Sequence, residues 1–471
     1  MRIHCFFLLA CTAVAAVAAE RRPNFLLILS DDHGWSQVSR TMHPEVPEAQ
    51  SSYLRTPNID RIGQEGMRFS SGYSPAPLCT PTRRSILCGT TAARSGSEFA
   101  SSWKTTEHLT IPRALKQADA SYRAAHFGKW GEQMGALPAE VGYDASDGQT
   151  GNNTGGMPPT LNPKSPDGKV AGHNNSPPYY TNQKDPKLTG HVTDRTIAFM
   201  RESKQMGRPF YVQASYYAVH LSIVCKEETL KRVQARGTPD RQYTPAFAAM
   251  LEEMDEGVGR LLAALKEHGV DDNTYVIFTA DNGGRGTVPG YDPSRVQGNH
   301  PLTGAKHSLN EGGVRVPFLV KGPGIRPGGV CHVPVAGYDF LPTVYDLAGG
   351  TKPLPATVDG VSLKPLFQNP EKGTVTRAAG GLFFHRPGNR VSAIRQGEYK
   401  LLVNWGRNGE VASRELYRFA PDPREEGRDI AKQDPGRADK MQATLLAYLK
   451  SAKAETVQSM PKKGKKKDED L

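Results

Sequence analysis

Two short stretches of this chain end in acidic side chains of a kind that bind cations. Asn24-Phe-Leu-Leu-Ile-Leu-Ser30 runs into Asp31-Asp32-His33-Gly34, and Thr274-Tyr-Val-Ile-Phe-Thr-Ala280 runs into Asp281-Asn282-Gly283-Gly284. One Asp-Asp pair alone is usually a turn or a helix cap. Three carboxylates and a carboxamide brought to one point repel each other unless a cation sits among them. Oxygen donors without thiolate or imidazole suit a hard ion, Ca²⁺ or Mg²⁺. A third feature is Cys79, in Leu78-Cys-Thr-Pro-Thr-Arg-Arg-Ser-Ile-Leu-Cys-Gly89. It could be half of a disulfide, a metal ligand, a nucleophile, or the precursor of something else.

The elements that must position these groups are legible in outline. Short unbroken apolar runs are the mark of central strands covered on both faces. In Ala249 to Lys266, the residues Met250, Met254, Val258, Leu261, Leu262 and Leu265 share one helical face. Helix followed by buried strand predicts an α/β protein with a large, mostly parallel sheet flanked by helices, whose ligands lie beyond the carboxyl ends of the strands. Pro81 fits a first helical turn, so a helix is expected from about residue 81, with Cys79 near its N-terminus, where backbone N–H groups favour an anion. On that helix Cys79 and Cys88 point away from each other, which argues against a disulfide between them. A thiol nucleophile would want a histidine base nearby, and the local sequence has none.

Bulk properties narrow the class. The 471-residue chain opens with Arg2 and a mostly apolar stretch from Ile3 to Ala18, ending in small residues before Glu20. This reads as a secretory signal peptide over residues 1–19, ahead of a weaker lipoprotein-like match at Leu9-Ala10-Cys11, and predicts a secreted or periplasmic protein. No later stretch is long and apolar enough for a membrane span. Cys5 and Cys11 leave with the signal, and Cys79, Cys88, Cys225 and Cys331 are too few for a disulfide-built scaffold. The formal charge of +11 fits polyanionic or sulfated partners, although part of it sits in the terminal Pro461-Lys-Lys-Gly-Lys-Lys-Lys run. Nucleic acid is not an expected partner, since there is no recognition motif and no interleaving of aromatic with basic residues.

The segment Cys79-Thr80-Pro81-Thr82-Arg83 with Leu87-Cys88-Gly89 resembles the signature of the type I sulfatases, members of the alkaline-phosphatase-like superfamily. The resemblance extends through Arg22–Gly34, Thr56–Arg61, Gly66–Phe69, Phe278–Gly284, Pro301–Lys306, Glu311–Pro317 and Ala393–Leu401. It implies that Cys79 is converted to Cα-formylglycine (3-oxoalanine) by a formylglycine-generating enzyme. It implies Ca²⁺, with Mg²⁺ as an alternative, on Asp31, Asp32, Asp281, Asn282 and the modified Cys79. Arg83, Lys129, His220 and Lys306 would surround the sulfate. One hydroxyl of the aldehyde hydrate would attack sulfur, His220 or Lys306 would protonate the departing alcohol, and the second hydroxyl would drive release of sulfate. The implied substrate is a sulfate ester of a carbohydrate or an aryl alcohol. A phosphoesterase of the same superfamily and a non-catalytic sulfated-glycan binder are the competing readings.

The chain departs from the family at Gly128-Lys129-Trp130-Gly131, where relatives usually continue with histidine. His126 lies upstream on an expected strand and cannot simply substitute, and His307, beside Lys306, is the more interesting candidate. The expected organisation is a catalytic domain over residues 20–370, with Pro- and Gly-rich loops at Ala145–Lys187 and Gly283–Pro301. A small α+β subdomain follows over 371–452, an antiparallel sheet (Val391–Val403, Glu415–Phe419) closed by a helix over Arg437–Ala452, and then a basic, disordered tail over 453–471.

Overall fold

The computed structural model describes residues 21–155, 179–181, 184–420, 424 and 427–460. Its centre is an eight-stranded sheet. In chain order the strands are β1 (Asn24–Ser30), β2 (Met67–Phe69), β3 (Arg123–Gly128), β4 (Ala145–Ser146), β5 (Phe210–Ser215), β6 (Thr274–Ala280), β7 (Phe318–Lys321) and β8 (Gly329–Cys331). Their spatial order is β8-β2-β7-β6-β1-β5-β3-β4. Only β7 runs against the others, pairing antiparallel with both β6 and β2. The expected α/β architecture with a mostly parallel sheet is therefore what the chain adopts.

β1 shows why its sequence is unbroken. Phe25, Leu27 and Leu29 belong to the core on one face, and Leu26 and Ile28 to the core on the other. Alternate side chains leave a strand on opposite faces, so both sets must be apolar when helices cover both sides. One face is covered by α1 (Pro57–Glu65), α3 (Thr189–Gln205) and α4 (Pro245–Glu267), and α2 (Cys79–Cys88) adds Ile86 and Leu87 to the other. The helix expected over Ala249–Lys266 is α4, which starts at Pro245 because the Thr244 side chain accepts the Phe247 N–H as an N-cap.

α2 begins at Cys79, two residues earlier than expected, and every one of its residues is buried. It stops at Gly89, which sits at φ +64° with its ideal Cβ position 2.8 Å from Leu341 Cβ, so a side chain there meets both strain and a clash.

The register of the sheet positions the chemistry. Ser30 pairs with Ala280, Leu29 with Ser215, and Gly128 with Ser215. Four neighbouring strands (β6, β1, β5 and β3) therefore end at one edge, and the residues that follow them emerge side by side.

The C-terminal sheet has four antiparallel strands in sequence order, β9 (Leu382–Arg386), β10 (Val391–Gln396), β11 (Tyr399–Trp405) and β12 (Val411–Arg418). The stretch read as Val391–Val403 is thus two strands around a tight turn at Gly397, and β9 was not anticipated. One face packs Phe383, Ile394, Leu401 and Leu416 on α5 (Pro435–Ser451); the other packs Phe384, Ala393 and Leu402 against Tyr73, Leu309 and Val314 of the larger unit. Residues at the start of the expected tail are held in place. Ala454 packs on this subdomain, and His385 Nε2 bonds the Glu455 carbonyl at 2.6 Å. Residues 461–471, the leader 1–20 and the greater part of the expected 145–187 loop lie outside the described residues.

Candidate active site

The strand ends deliver their side chains to one buried point. Asp31 and Asp32 follow β1, Asp281 and Asn282 follow β6, and Lys129 follows β3; all five are at most 1 % exposed. His220 arrives on the turn after β5, which is stitched to β1 by Asp31 N–H donating to Ala218 O (2.9 Å) and Val219 N–H donating to Asp31 O (2.7 Å). Lys306 comes on the loop after β6, its N–H donating to Gly284 O at 3.0 Å.

Every acid in the cluster has a cation against it. Lys129 Nζ lies 2.6 Å from Asp31 Oδ2, and Lys306 Nζ 2.9 Å from Asp32 Oδ1. Arg83 donates from Nε (3.0 Å) and Nη2 (2.7 Å) to Asp281 Oδ2. Burial alone would raise the Asp31 and Asp32 carboxyls, but Lys129 and Lys306 respectively, with His220, hold both below the usual carboxylate range. Burial and the neighbouring Asp31 push Asp281 up to about 7 despite Arg83. Burial and Lys306 bring His220 down to about 3.

Two oxygens are left over. Asp31 Oδ1 and Asn282 Oδ1 are buried with no hydrogen-bond partner among the described residues, whereas Asn282 Nδ2 donates to Asp32 Oδ1 at 2.8 Å and so fixes the orientation of the amide. Unsatisfied buried acceptors are costly. Asp31, Asp32 and His220 also offer ligand atoms within 4.8 Å of one another. The residues expected to hold a hard cation therefore converge, and their spare lone pairs fit one. His220, read from sequence as a sulfate contact, lies at the edge of the same cluster, with Nε2 3.8 Å from Asp32 Oδ2.

Cys79 is fully buried at the first position of α2, and neither it nor Cys88, Cys225 or Cys331 is in a disulfide. Burial drives the Cys79 thiol up to about 11, against the opposing pull of Lys129 and Lys306. As a thiol it is a poor nucleophile in this setting, because the thiolate is what attacks.

Lys187 was missed in the sequence. It is 1 % exposed and donates to His220 O (2.8 Å) and Ser222 O (3.0 Å), pinning the turn that carries His220. A single lysine at the end of a polar loop gives no sign of this. His126 is packed inside the sheet, with Nε2 3.1 Å from Ser215 Oγ and its ring edge-on to Trp130. Gly131 sits at φ +129°, and a Cβ there would lie 3.2 Å from Met134 Cγ and 3.4 Å from Thr80 Oγ1. Among the described residues neither buried ring nitrogen of His307 has a partner, while its backbone is fixed by N–H donation to Pro77 O (3.0 Å) and by Arg386 and Asn389 donating to its carbonyl (2.8 and 2.9 Å).

Comparison with known proteins agrees with this arrangement. The sulfatase family matches residues 23–350, and the N-sulphoglucosamine sulphohydrolase C-terminal family matches residues 298–455. The chain is 31% identical over 419 residues to arylsulfatase A of Homo sapiens, covering 82% of this chain and 76% of that one. It is 28% identical over 424 residues to N-acetylgalactosamine-6-sulfatase of Mus musculus, covering 85% and 76%. Among solved structures, Ps i-CgsB in complex with k-i-k-neocarrahexaose superposes with a TM-score of 0.73 at 24% identity, covering 94% of this chain and 95% of that one. With its family match spanning most of the described chain, the protein belongs to the type I sulfatases of the alkaline-phosphatase-like superfamily and is a sulfuric ester hydrolase.

Proposed function

We propose that the protein removes sulfate from a sulfated carbohydrate, using residue 79 after its conversion from cysteine to formylglycine and a Ca²⁺ or Mg²⁺ ion held by Asp31, Asp32, Asp281 and Asn282. One observation carries the reading: Cys79 opens a fully buried helix in the field of Lys129, Lys306, Asp281 and Asp31. The resemblance to N-acetylgalactosamine-6-sulfatase supports a sugar sulfate over a simple aryl sulfate. The leader over residues 1–19 supports secretion or export to a periplasm, where a formylglycine-generating enzyme would be the partner in maturation.

When bound, the ion and the hydrated aldehyde would supply charge neutralisation at the sulfate oxygens and an activated oxygen nucleophile. The chain's own residues do the rest. Lys129 stays charged because Asp31 faces it and brings fixed positive charge to the sulfate oxygens, while Lys306, facing Asp32, enters the reaction charged and with a proton to give. Arg83 locks the Asp281 carboxylate and holds α2 against β6.

The proton for the departing oxygen is assigned to Lys306. His220 Nδ1 lies 2.6 Å from the Leu221 carbonyl, which can only accept, so Nδ1 carries the hydrogen. Neutral His220 therefore presents a lone pair at Nε2 and serves as an acceptor that orients the substrate.

The maturation is directly testable. Trypsin should release Phe69–Arg83 from protein made with the maturing enzyme, and mass spectrometry should find that peptide with an aldehyde in place of the thiol. Fully active protein carrying only unmodified cysteine would sink the mechanism.

We assign assistance in sulfate release to His307, whose ring nitrogens lack partners beside Lys306. His307→Ala should slow turnover about tenfold, or about 1.4 kcal/mol of barrier. Adding Gly131→His should not recover the loss, because φ +129° and the Met134 and Thr80 contacts disfavour any side chain there. Wild-type turnover in His307→Ala would return the release step to solvent or Lys306.

A further inference from the structure

A second concentration of cationic groups lies where the edge of the main sheet meets the C-terminal sheet. A cleft of about 520 Å³ is lined by His43, Ser70, Arg315, His332, Arg395 and Phe419, among others, and shares no lining residue with the catalytic set. Arg395 is 5 % exposed; its guanidinium stacks 4.1 Å over the Phe419 ring, and Nε donates to Tyr73 Oη at 3.4 Å. Its Nη1 is buried with no acceptor among the described residues. A buried guanidinium N–H without a partner is an expensive vacancy in a hydrogen-bond network.

Two histidines, both held toward the neutral form by burial, stand beside it. The His43 and His332 rings lie 4.9 Å apart, with Ser70 Oγ 2.8 Å from His332 Nδ1. Burial brings His43 down to about 4, and the charges of His332, Arg315 and Arg68 add to the fall, as they must in a locally positive field. The acids nearby are engaged or peripheral. Glu311 is held by Arg315 (2.5 Å) and Lys400 (2.8 Å), Glu398 is taken by Arg418 (3.3 Å), and Glu45 is exposed at the mouth.

We propose that this cleft is a second oxyanion-binding site, taking a sulfate or carboxylate carried on a sugar-sized group, with Arg395 Nη1 as its central donor and His43 and His332 at its sides. A charged guanidinium N–H is a strong donor to such an oxyanion, and the cleft is within the size range of small-molecule pockets and too roomy for an ion alone. The inference stands on Arg395 and its surroundings and is independent of the chemistry assigned to Cys79.

Crystals of the full chain soaked in selenate, an anomalously scattering sulfate mimic, should show an ion within hydrogen-bonding reach of Arg395 Nη1, whatever is found at the catalytic centre. A cleft without that ion, or with a carboxylate of the chain itself against Arg395, overturns the proposal. Calorimetric titration should use Lys306→Ala protein, in which the catalytic sulfate contact is weakened, and glucosamine 6-sulfate as the probe. Binding should persist there and weaken at least about tenfold when Arg395→Gln is added. His332→Gln, at the exposed mouth, should weaken it a few-fold with turnover of the otherwise wild-type enzyme unchanged, and it serves if Arg395→Gln does not fold. Equal affinity in all these proteins refutes the site, as does binding of selenate without the sulfated sugar, which would make it an adventitious ion only.

Discussion

Cys79→Ala should leave a folded protein that binds a sulfate ester and does not turn it over. The side chain is fully buried and loses a single sulfur atom, so the packing cost is confined to a small cavity at the start of α2. The cationic groups remain, because Lys129 and Lys306 are held by Asp31 and Asp32, and Arg83 by Asp281. Substrate affinity should therefore change little. Turnover should fall at least about 10³-fold, about 4 kcal/mol of barrier, because residue 79 is the group assigned to attack sulfur. A dissociation constant near that of the unvaried enzyme, measured with a slowly hydrolysed ester, together with absent turnover, separates loss of the nucleophile from loss of the pocket. Turnover within tenfold of wild type would show that residue 79 is not the attacking group.

What could be read from the sequence, and what could not, follows from how each group is held. The two acidic strand ends were legible because the same covered strand was written twice, and the parallel register Ser30–Ala280 then places Asp31 beside Asp281 without further information. Cys79, Arg83, Lys129, His220 and Lys306 became readable through family blocks, and the structure brings them to that edge. Lys187 was invisible because its burial is set by the His220 turn, a tertiary partner with no sequence signal. Glu311 and Arg315 show the converse. Their block is one of family resemblance to which the sequence assigns no task, and the structure spends the Glu311 carboxylate on Arg315 and Lys400. It fastens the main unit to β11 of the C-terminal sheet, a structural task that spacing cannot distinguish from a catalytic one. The Arg395 cleft was hidden for the same reason, since its lining comes from six separate stretches of chain.

Asp281 gives the second large effect, and the structure decides which substitution to make. Its Oδ2 accepts two hydrogen bonds from Arg83, and its Oδ1 accepts the Asp32 N–H at 3.2 Å. Alanine would leave the Arg83 guanidinium buried without its partner, a loss of about 3–5 kcal/mol in stability that would obscure any effect on the ion. Asp281→Asn keeps the volume and an acceptor oxygen while removing one negative charge from the set with Asp31 and Asp32. Calorimetry should show Ca²⁺ or Mg²⁺ binding weakened about 10–100-fold, with the thermal midpoint of the protein stripped of ions changed far less than alanine would change it. Turnover should fall about 10²-fold or more and recover in part when Ca²⁺ or Mg²⁺ is raised, because the remaining oxygens still define the site. In the unvaried enzyme, chelation should abolish activity and either of those ions should restore it. Zinc should not, since four oxygen donors without a thiolate offer it little preference over a hard ion. Activity that survives exhaustive chelation, or returns only with zinc, would mean that Asp31 Oδ1 and Asn282 Oδ1 are spare for some reason other than a hard cation, and the assignment of the four ligands would fall with it.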